Sequence, residues 1–179
     1  PYADGMLHIV SVGHLVPEKH FENVIPAAKA LRESGTDFVW HIVGEGPERT
    51  KLEVLIADSD LESHVVLEGS KTNPYPYMKY AQLFVHPSYV ESQGLTVLEA
   101  MALGVPCVVT KSRGPCEFIQ DGINGLLTEQ SPESLTARVL EILNDRLLYQ
   151  RIRENTKCPE QFSPEQVMRQ IEVLIDGGA

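Results

Sequence analysis

Two glutamates eight positions apart, Glu91 and Glu99, bracket the start of a strongly apolar segment that opens at Gly94-Leu95. That spacing leaves Glu91 in a loop and puts Glu99 one to two turns into a helix. A carboxylate on a buried apolar helix is costly unless it is hydrogen-bonded. The two hydroxyls of a ribose would satisfy Glu99 bidentately, and the hydroxyls of a sugar would satisfy Glu91. A neighbouring backbone donor or a Lys would satisfy Glu99 equally well. Gly94 lets phosphate oxygens approach the free backbone N–H groups of the first helical turn. The chemistry these residue types suit is the holding of a phosphorylated, hydroxyl-rich ligand.

Two more loops carry polar or glycine residues directly after β-type runs: Val12-Gly13-His14-Leu15-Val16-Pro17-Glu18-Lys19 and Gly44-Glu45-Gly46-Pro47. In doubly wound sheets, ligands bind at the carboxyl ends of the strands, which is where these loops fall. The first has one glycine in place of the G-x-G-x-x-G of dinucleotide binders, which disfavours an NAD or FAD site. Lys19 is the cation nearest the end of that loop.

The elements that must position these residues alternate. β-type runs at Leu7 to Val12, Phe38 to Val43, Val65 to Leu67, Leu83 to His86 and Val105 to Val109 are separated by helically spaced segments. Such alternation predicts an α/β fold, a Rossmann-like parallel sheet with helices on both faces. Phe21, Val24, Ile25, Ala28 and Leu31 share a helical face, but Pro26 would cost about 3 kcal/mol in a regular interior, so this helix is kinked or starts late. Pro47 suits a first helical turn ahead of Leu52, Leu55 and Ile56. Leu95 to Leu103 is apolar nearly all round and should lie deep against the sheet until Gly104 and Pro106 stop it. Ser131-Pro132-Glu133 opens another helix, and Ser163-Pro164 with Gln166 opens the last.

A chain of 179 residues with 42% hydrophobic content suffices for one compact domain burying roughly 70% of its unfolded surface. We divide it into a core to about residue 160 and a terminal helix over 161–179. No apolar run approaches the roughly 20 residues of a membrane span, so the chain reads as soluble. Pro1 in place of an initiator Met suggests an excised fragment. Fifteen basic against 25 acidic residues give a net charge of −10. That balance argues against nucleic acid as a partner and requires local devices for any anionic ligand. Cys107, Cys116 and Cys158 have neither disulfide nor metal-ligand spacing, so no metal is expected and a reducing, cytoplasmic setting fits. His8, His20, His41 and His64 are scattered, and His86, at a strand end, reads as structural. Tyr75 and Tyr77, interleaved with Pro74 and Pro76, read as loop or core packing, with the mouth of a site as the alternative place for them.

The stretch from Glu91 to Gly125, ESQGLTVLEAMALGVPCVVTKSRGPCEFIQDGING, resembles the signature of glycosyltransferase family 4, the group 1 glycosyltransferases. That pattern is E-x7-E, then EAMA-G-P-V, a glycine turn with a glutamate, and D-G-x-N-G. The likeness extends back through VGEGPERTKLE from Val43 to Glu53 and VGHLVPEKHFENVIPAAKAL from Val12 to Leu31, which is nearly the whole chain.

The resemblance implies a GT-B enzyme of two domains. This chain would be the C-terminal half, which holds a nucleoside-diphosphate sugar on a UDP or GDP carrier, and the N-terminal acceptor domain would be absent. The implied activity is retaining transfer of a hexose-type sugar to an acceptor hydroxyl in polysaccharide or glycolipid synthesis, without cofactor or essential metal. It is cytoplasmic, at the inner membrane face where the acceptor is lipid-linked. By position, Glu91 contacts the donor sugar, Glu99 the ribose, and Gly94 and Leu95 the diphosphate through their backbone. Gly13 and His14 form the first turn, and Lys19 stabilises the charge on the departing nucleotide. His14 departs from the family, which more often has Arg there. Either His14 is protonated beside the anion, or it only donates a hydrogen bond, or Arg113 compensates. Ser92-Gln93 replaces the common Gly-Phe, and Arg113 stands where a first glycine is usual ahead of Gly114 and Glu117. A non-catalytic sugar-nucleotide module and a GT-B phosphorylase are the competing readings; a ribose-binding Glu99 argues against the phosphorylase.

Overall fold

The computed structural model describes residues 5–157 and 159. Six strands form one wholly parallel sheet in the order β3-β2-β1-β4-β5-β6. They are β1 (Leu7–Val12), β2 (Phe38–Val43), β3 (Val65–Gly69), β4 (Leu83–His86), β5 (Cys107–Thr110) and β6 (Leu126–Thr128). The helices are α1 (Val24–Glu33), α2 (Arg49–Ala57), α3 (Tyr75–Tyr80), α4 (Leu95–Ala102), α5 (Pro132–Asn144) and α6 (Arg146–Asn155). The chain moves outward from β1 to β3, then returns to the other side of β1 for β4. The switch point of the fold is therefore the crevice between β1 and β4.

The period of two along each strand sorts side chains into two layers. Ile9, Trp40, Val85 and Val108 join one core with Ala28 and Leu31 of α1 and Leu135 and Val139 of α5. Val10, Val43, Phe84 and Val109 join the other, with Met78 of α3 and Val97 and Met101 of α4. The helices on both faces are thus covered by apolar residues that the strands alternate toward them.

Several sequence expectations are refined. A sixth strand, β6, follows the Asp121 to Gly125 turn, three residues being too short for an alternating pattern. The helix carrying Pro26 starts late: Phe21–Asn23 is a 3-10 turn, and Pro26 falls third in α1, where an N–H has no intrahelical acceptor to lose. Pro47 lies in the turn ahead of α2, which begins at Arg49. The fifth strand begins at Cys107, two positions after Val105. Helix α4 is not buried all round. Val97, Leu98, Ala100 and Met101 face the core, whereas Leu95 is 61% exposed. Gly104, at φ +74°, ends α4 in a Schellman motif: Val105 N–H bonds Ala100 O and Gly104 N–H bonds Met101 O. Tyr75 and Tyr77 lie in α3, a helix whose short proline-containing sequence showed no periodicity. Ser131 caps α5 as expected, accepting from Ser134 N–H at 3.1 Å. The Ser163 helix and Cys158 lie outside the described residues.

Candidate functional site

The carboxyl ends of β1 and β2 are locked together through glycine. A side-chain carbon on Gly44 would lie 1.8 Å from Gly13 O, and one on Gly46 would lie 2.3 Å from Leu15 O. Their absence lets Leu15 N–H reach Glu45 O at 2.9 Å and Glu48 N–H reach Leu15 O at 3.0 Å. The second loop is therefore a buttress. It uses its glycines on packing and holds Gly13-His14 over the end of β1.

Lys19 ends a 3-10 turn, Pro17–Lys19, followed by His20 in the left-handed region at φ 47°. The His20 ring stacks on Tyr89 at 3.9 Å, and Ser88 Oγ lies 3.2 Å from Glu18 O and 2.9 Å from Val90 O. These contacts tie the Lys19 loop to the loop after β4. The loop after β4 is fixed in turn by close packing on Gly114, which has no side chain. A carbon there would lie 2.6 Å from Ser92 O, and Gly114 N–H donates to Glu91 O at 3.0 Å. Gly94, at φ 72°, then delivers the chain into α4.

Two lobes of about 360 Å³ each open above this frame and share Val12, Gly13 and His14. The first, over the β1/β4 switch point, also meets Lys19, Glu91, Leu95 and Thr96. The second extends over β2 and β3 to Glu45, Lys71 and Pro74. His14 is exposed between them, and its side chain makes no hydrogen bond among the described residues.

Glu91 is the most heavily bonded group of the first lobe. Its Oε2 is 2.6 Å from Lys19 Nζ, and its Oε1 accepts from Gly94 N–H at 3.0 Å and Gln93 N–H at 3.3 Å. The His86 imidazole, the Lys19 ammonium and the Gly94 N–H together hold the Glu91 carboxyl well below the usual carboxylate range, against the opposing effect of burial. Gly94 N–H was expected to be free for an anion; the carboxylate takes it. The N–H groups of Leu95 and Thr96, next along the first turn of α4, meet no acceptor among the described residues. His86, 2% exposed, has its Nε2 3.4 Å from Glu91 Oε2, near enough to favour the charged carboxylate but out of hydrogen-bonding alignment, so among the described residues this buried nitrogen has no hydrogen-bond partner. Burial holds the His86 imidazole below its ordinary value. Its strand-end position in the sequence did not reveal this contact with Glu91.

Glu99 is half-buried, and its side chain accepts from Tyr75 O–H at 3.2 Å; the neighbouring Glu99 charge raises the Tyr75 hydroxyl. Among the described residues neither a Lys nor a backbone group holds Glu99. Glu99 lines neither lobe; its partner Tyr75 directly follows Pro74, which lines the second. Arg113 is exposed and lines neither lobe, so the structure does not bring it to His14. Glu117 lies on a separate cavity with Cys116 and Lys157. Burial pushes the Cys107 thiol up, in keeping with an inert strand residue. Among the described residues, no cluster of three or more His, Cys, Asp or Glu is placed to hold a metal ion, and no helix is long and apolar enough to cross a membrane.

A doubly wound parallel sheet with its cleft at the switch point, an ammonium at the rim and open N–H groups at a helix start is a Rossmann-like domain built for an anionic ligand. The chain belongs to the group 1 glycosyltransferases, whose family model matches residues 3–158. It is 32% identical over 166 residues to the poly(ribitol-phosphate) α-N-acetylglucosaminyltransferase of Staphylococcus aureus, covering 88% of this chain and 33% of that protein. It is 33% identical over 162 residues to the lipopolysaccharide core biosynthesis glycosyltransferase of Rhizobium meliloti, covering 89% of this chain and 46% of that protein. The chain therefore spans between a third and a half of these relatives. A variant of S. aureus TarM in complex with UDP, α-GlcNAc-glycerol and fondaparinux superimposes with a TM-score of 0.84 at 28% identity, over 96% of this chain and 36% of that one. Anabaena HepE in complex with UDP shares the fold, with a TM-score of 0.87 at 23% identity over 96% of this chain and 49% of that one. The fold is that of the GT-B glycosyltransferases.

Proposed function

We propose that the chain is the donor-binding half of a retaining glycosyltransferase that takes a nucleoside-diphosphate sugar and passes the sugar to an acceptor hydroxyl. The observation that carries this reading is the convergence of Lys19, the open N–H groups of Leu95 and Thr96, and the exposed Gly13-His14 turn on one lobe at the switch point. These supply N–H donors and one ammonium, and they suit a diphosphate. The base and ribose extend into the second lobe, where Glu99 exchanges its Tyr75 bond for the ribose hydroxyls. Glu91 takes a hydroxyl of the transferred sugar. UDP is the first nucleotide to test, because the TarM structure, 28% identical, is a UDP complex; GDP is the second.

Among the described residues no carboxylate stands ready as a nucleophile, since one Glu91 oxygen is filled by two backbone donors and the other is given to a sugar hydroxyl in this reading. Retention then follows from same-face substitution. The bond from the sugar's anomeric carbon to the phosphate oxygen breaks, the acceptor oxygen bonds to that carbon, and the acceptor's proton passes to the departing diphosphate. The protein contributes position and charge stabilisation, needs no metal in this scheme, and relies on an N-terminal domain for the acceptor. A lipid-linked acceptor would put the enzyme at the inner face of the membrane.

Isothermal calorimetry of this chain with UDP and GDP tests the reading. Binding below millimolar concentration is expected, and no heat with a chain shown to be folded by circular dichroism would sink it. The chain alone should give no transfer to an acceptor; turnover by these 179 residues would overturn the two-domain assignment.

A further inference from the structure

Buried polar groups almost always have partners, so one that lacks a partner beside a ligand cleft calls for a reason. His86 Nε2 is such a group. It is buried, makes no hydrogen bond among the described residues, and lies 3.4 Å from Glu91 Oε2 but out of line with it. The same oxygen already holds Lys19 Nζ at 2.6 Å, while the other oxygen is filled by Gly94 and Gln93 N–H. Glu91 therefore has one more donor within reach than it uses.

We infer that His86 is a positioning residue that takes over Glu91 when Lys19 leaves it for the donor diphosphate. The inference rests on the donor-binding reading above. In the ligand-free state Lys19 neutralises Glu91. A diphosphate at the Leu95 and Thr96 N–H groups competes for that ammonium with more negative charge than one carboxylate carries. Were Lys19 to leave alone, Glu91 would keep only two backbone donors on one oxygen, and its Oε2 would be left bare in a half-buried place. An Nε2–H that turns into line and closes by about half an ångström, to ordinary hydrogen-bond geometry, prevents this. It also keeps Oε2 directed into the first lobe, where a sugar hydroxyl can meet it.

The surroundings select the needed proton. A lone pair on Nε2 would face a carboxylate oxygen, so the tautomer protonated at Nε2 is the stable one. Burial keeps the ring neutral, which leaves it a donor without a full charge that would compete with Lys19 for the diphosphate. The Phe84 ring lies beside His86, centroids 6.3 Å apart and nearly parallel at 11°.

The test is nitrogen-15 imidazole NMR of the full chain with and without UDP, beside calorimetry. On UDP addition the His86 Nε2–H proton should move downfield and exchange more slowly with water. Lys19→Met should show that signature with no nucleotide present, because the competing ammonium is gone, and Glu91→Gln should not show it with or without UDP. His86→Leu should weaken UDP binding about tenfold, the low end for a hydrogen bond to a charged group, while His86→Gln, which keeps an N–H near the Nε2 position, restores most of it. In a Glu91→Gln background, His86→Leu should cost no affinity, an outcome a purely structural His86 would not give. UDP binding with an unchanged His86 signal in wild type and Lys19→Met overturns the inference and leaves the donor-binding reading intact. Absence of UDP binding by the folded wild type overturns both.

Discussion

His8 and His86 are buried to the same 2% exposure on neighbouring strands of one sheet, yet their surroundings differ in kind. His8 Nδ1 sits 3.1 Å from His41 Nε2, His41 Nδ1 sits 2.8 Å from Glu68 Oε1, and Tyr77 O–H closes the chain on Glu68 Oε2 at 3.0 Å. That ladder ties β1, β2, β3 and α3 together through polar atoms that meet one another. The Lys19, Glu91 and His86 cluster holds a carboxylate by three donors and leaves a fourth waiting. A satisfied network rigidifies, whereas one with a spare donor and an open lobe can change partners. Burial alone does not tell the two roles apart; the state of each lone pair and proton does.

The largest expected effect sharpens this contrast. His41→Leu removes hydrogen bonds to both His8 and Glu68, and at roughly 1–3 kcal/mol for each buried group deprived of a partner it should cost about 2–4 kcal/mol of stability in urea unfolding. UDP affinity of the folded fraction should stay within about twofold, the scale of an effect not felt at the cleft. Lys19→Met should do the reverse: about 1 kcal/mol or less in unfolding, as for a partly exposed ion pair, and a 10- to 100-fold loss of UDP affinity, the range of a charge-assisted bond. Equal losses in both measurements for both variants would erase the distinction between the two networks.

Glu99→Gln comes next. It should weaken UDP by about 1.5 kcal/mol or somewhat more, measured by calorimetry. A 2′,3′-dideoxy nucleotide should bind wild type and variant alike. If the variant loses equally with both ligands, the Tyr75 bond is the purpose of Glu99 and the ribose is held elsewhere.

Acid behaviour separates the clusters more finely. The folded state holds the His86 ring below its ordinary value by burial, so an unfolded chain takes up a proton there that the folded chain refuses. Stability from this source is complete above about pH 6.5, the ordinary imidazole value, and declines as pH falls through it. Glu68 is lowered too: burial pushes its carboxyl up, but the bonds from His41 and Tyr77 outweigh that. Its contribution persists to lower pH, being present above the ordinary carboxylate value near 4.3 and lost as pH falls toward the folded value. Urea midpoints between pH 7 and 5 should therefore fall less steeply in His86→Gln than in wild type, and Glu68→Gln should differ from wild type in slope only below that window.

What the sequence disclosed follows the same division. Strand and helix order were legible because apolar runs and their periods survive in one dimension, as with Leu7–Val12 and Phe38–Val43. β6 and α3 were not, one being too short to alternate and the other interrupted by proline. Glu91, Lys19 and His14 were picked out and do share the first lobe. The pairing of Glu91 with Lys19 was not visible, because it joins loops 72 residues apart; the Gly94 N–H bond, three residues on, depends on a loop conformation that spacing does not specify. The glycines of Gly44-Glu45-Gly46 looked like ligand positions, but their use is backbone packing against Gly13 and Leu15. The Asp121-Gly122-Ile123-Asn124-Gly125 piece likewise builds a turn: Asn124 Nδ2 donates to Phe118 O at 3.0 Å, and Asp121 Oδ1 accepts from Leu127 N–H at 2.9 Å on entry to β6. Family motifs mix residues that touch ligand with residues that hold the frame, and only contacts sort them.

The smallest expected effect concerns His14, which belongs to neither network. It is exposed, lines both lobes and follows the glycine that ends β1. If the diphosphate bridges the lobes, it passes this side chain. His14→Arg supplies a planar fork able to grip two phosphate oxygens at once, where an imidazole offers one N–H in that direction. Affinity for UDP should rise about three- to tenfold, or roughly 1 kcal/mol, modest because the site is open and water screens it. Affinity for uridine, which has no phosphate, should not change. The gain should shrink between low salt and about 0.5 M salt, as a screened surface interaction does. His14→Ala should lose at most as much as His14→Arg gains, since Lys19 and the α4 N–H groups remain. Neither variant should move the urea midpoint by more than about 0.5 kcal/mol, because an exposed side chain without protein partners has little native structure to support. An equal gain for UDP and uridine would place the base, not the diphosphate, beside residue 14 and reverse the assignment of the two lobes. No change with either ligand would take His14 out of the ligand's path and leave Lys19 and the start of α4 to hold the anion.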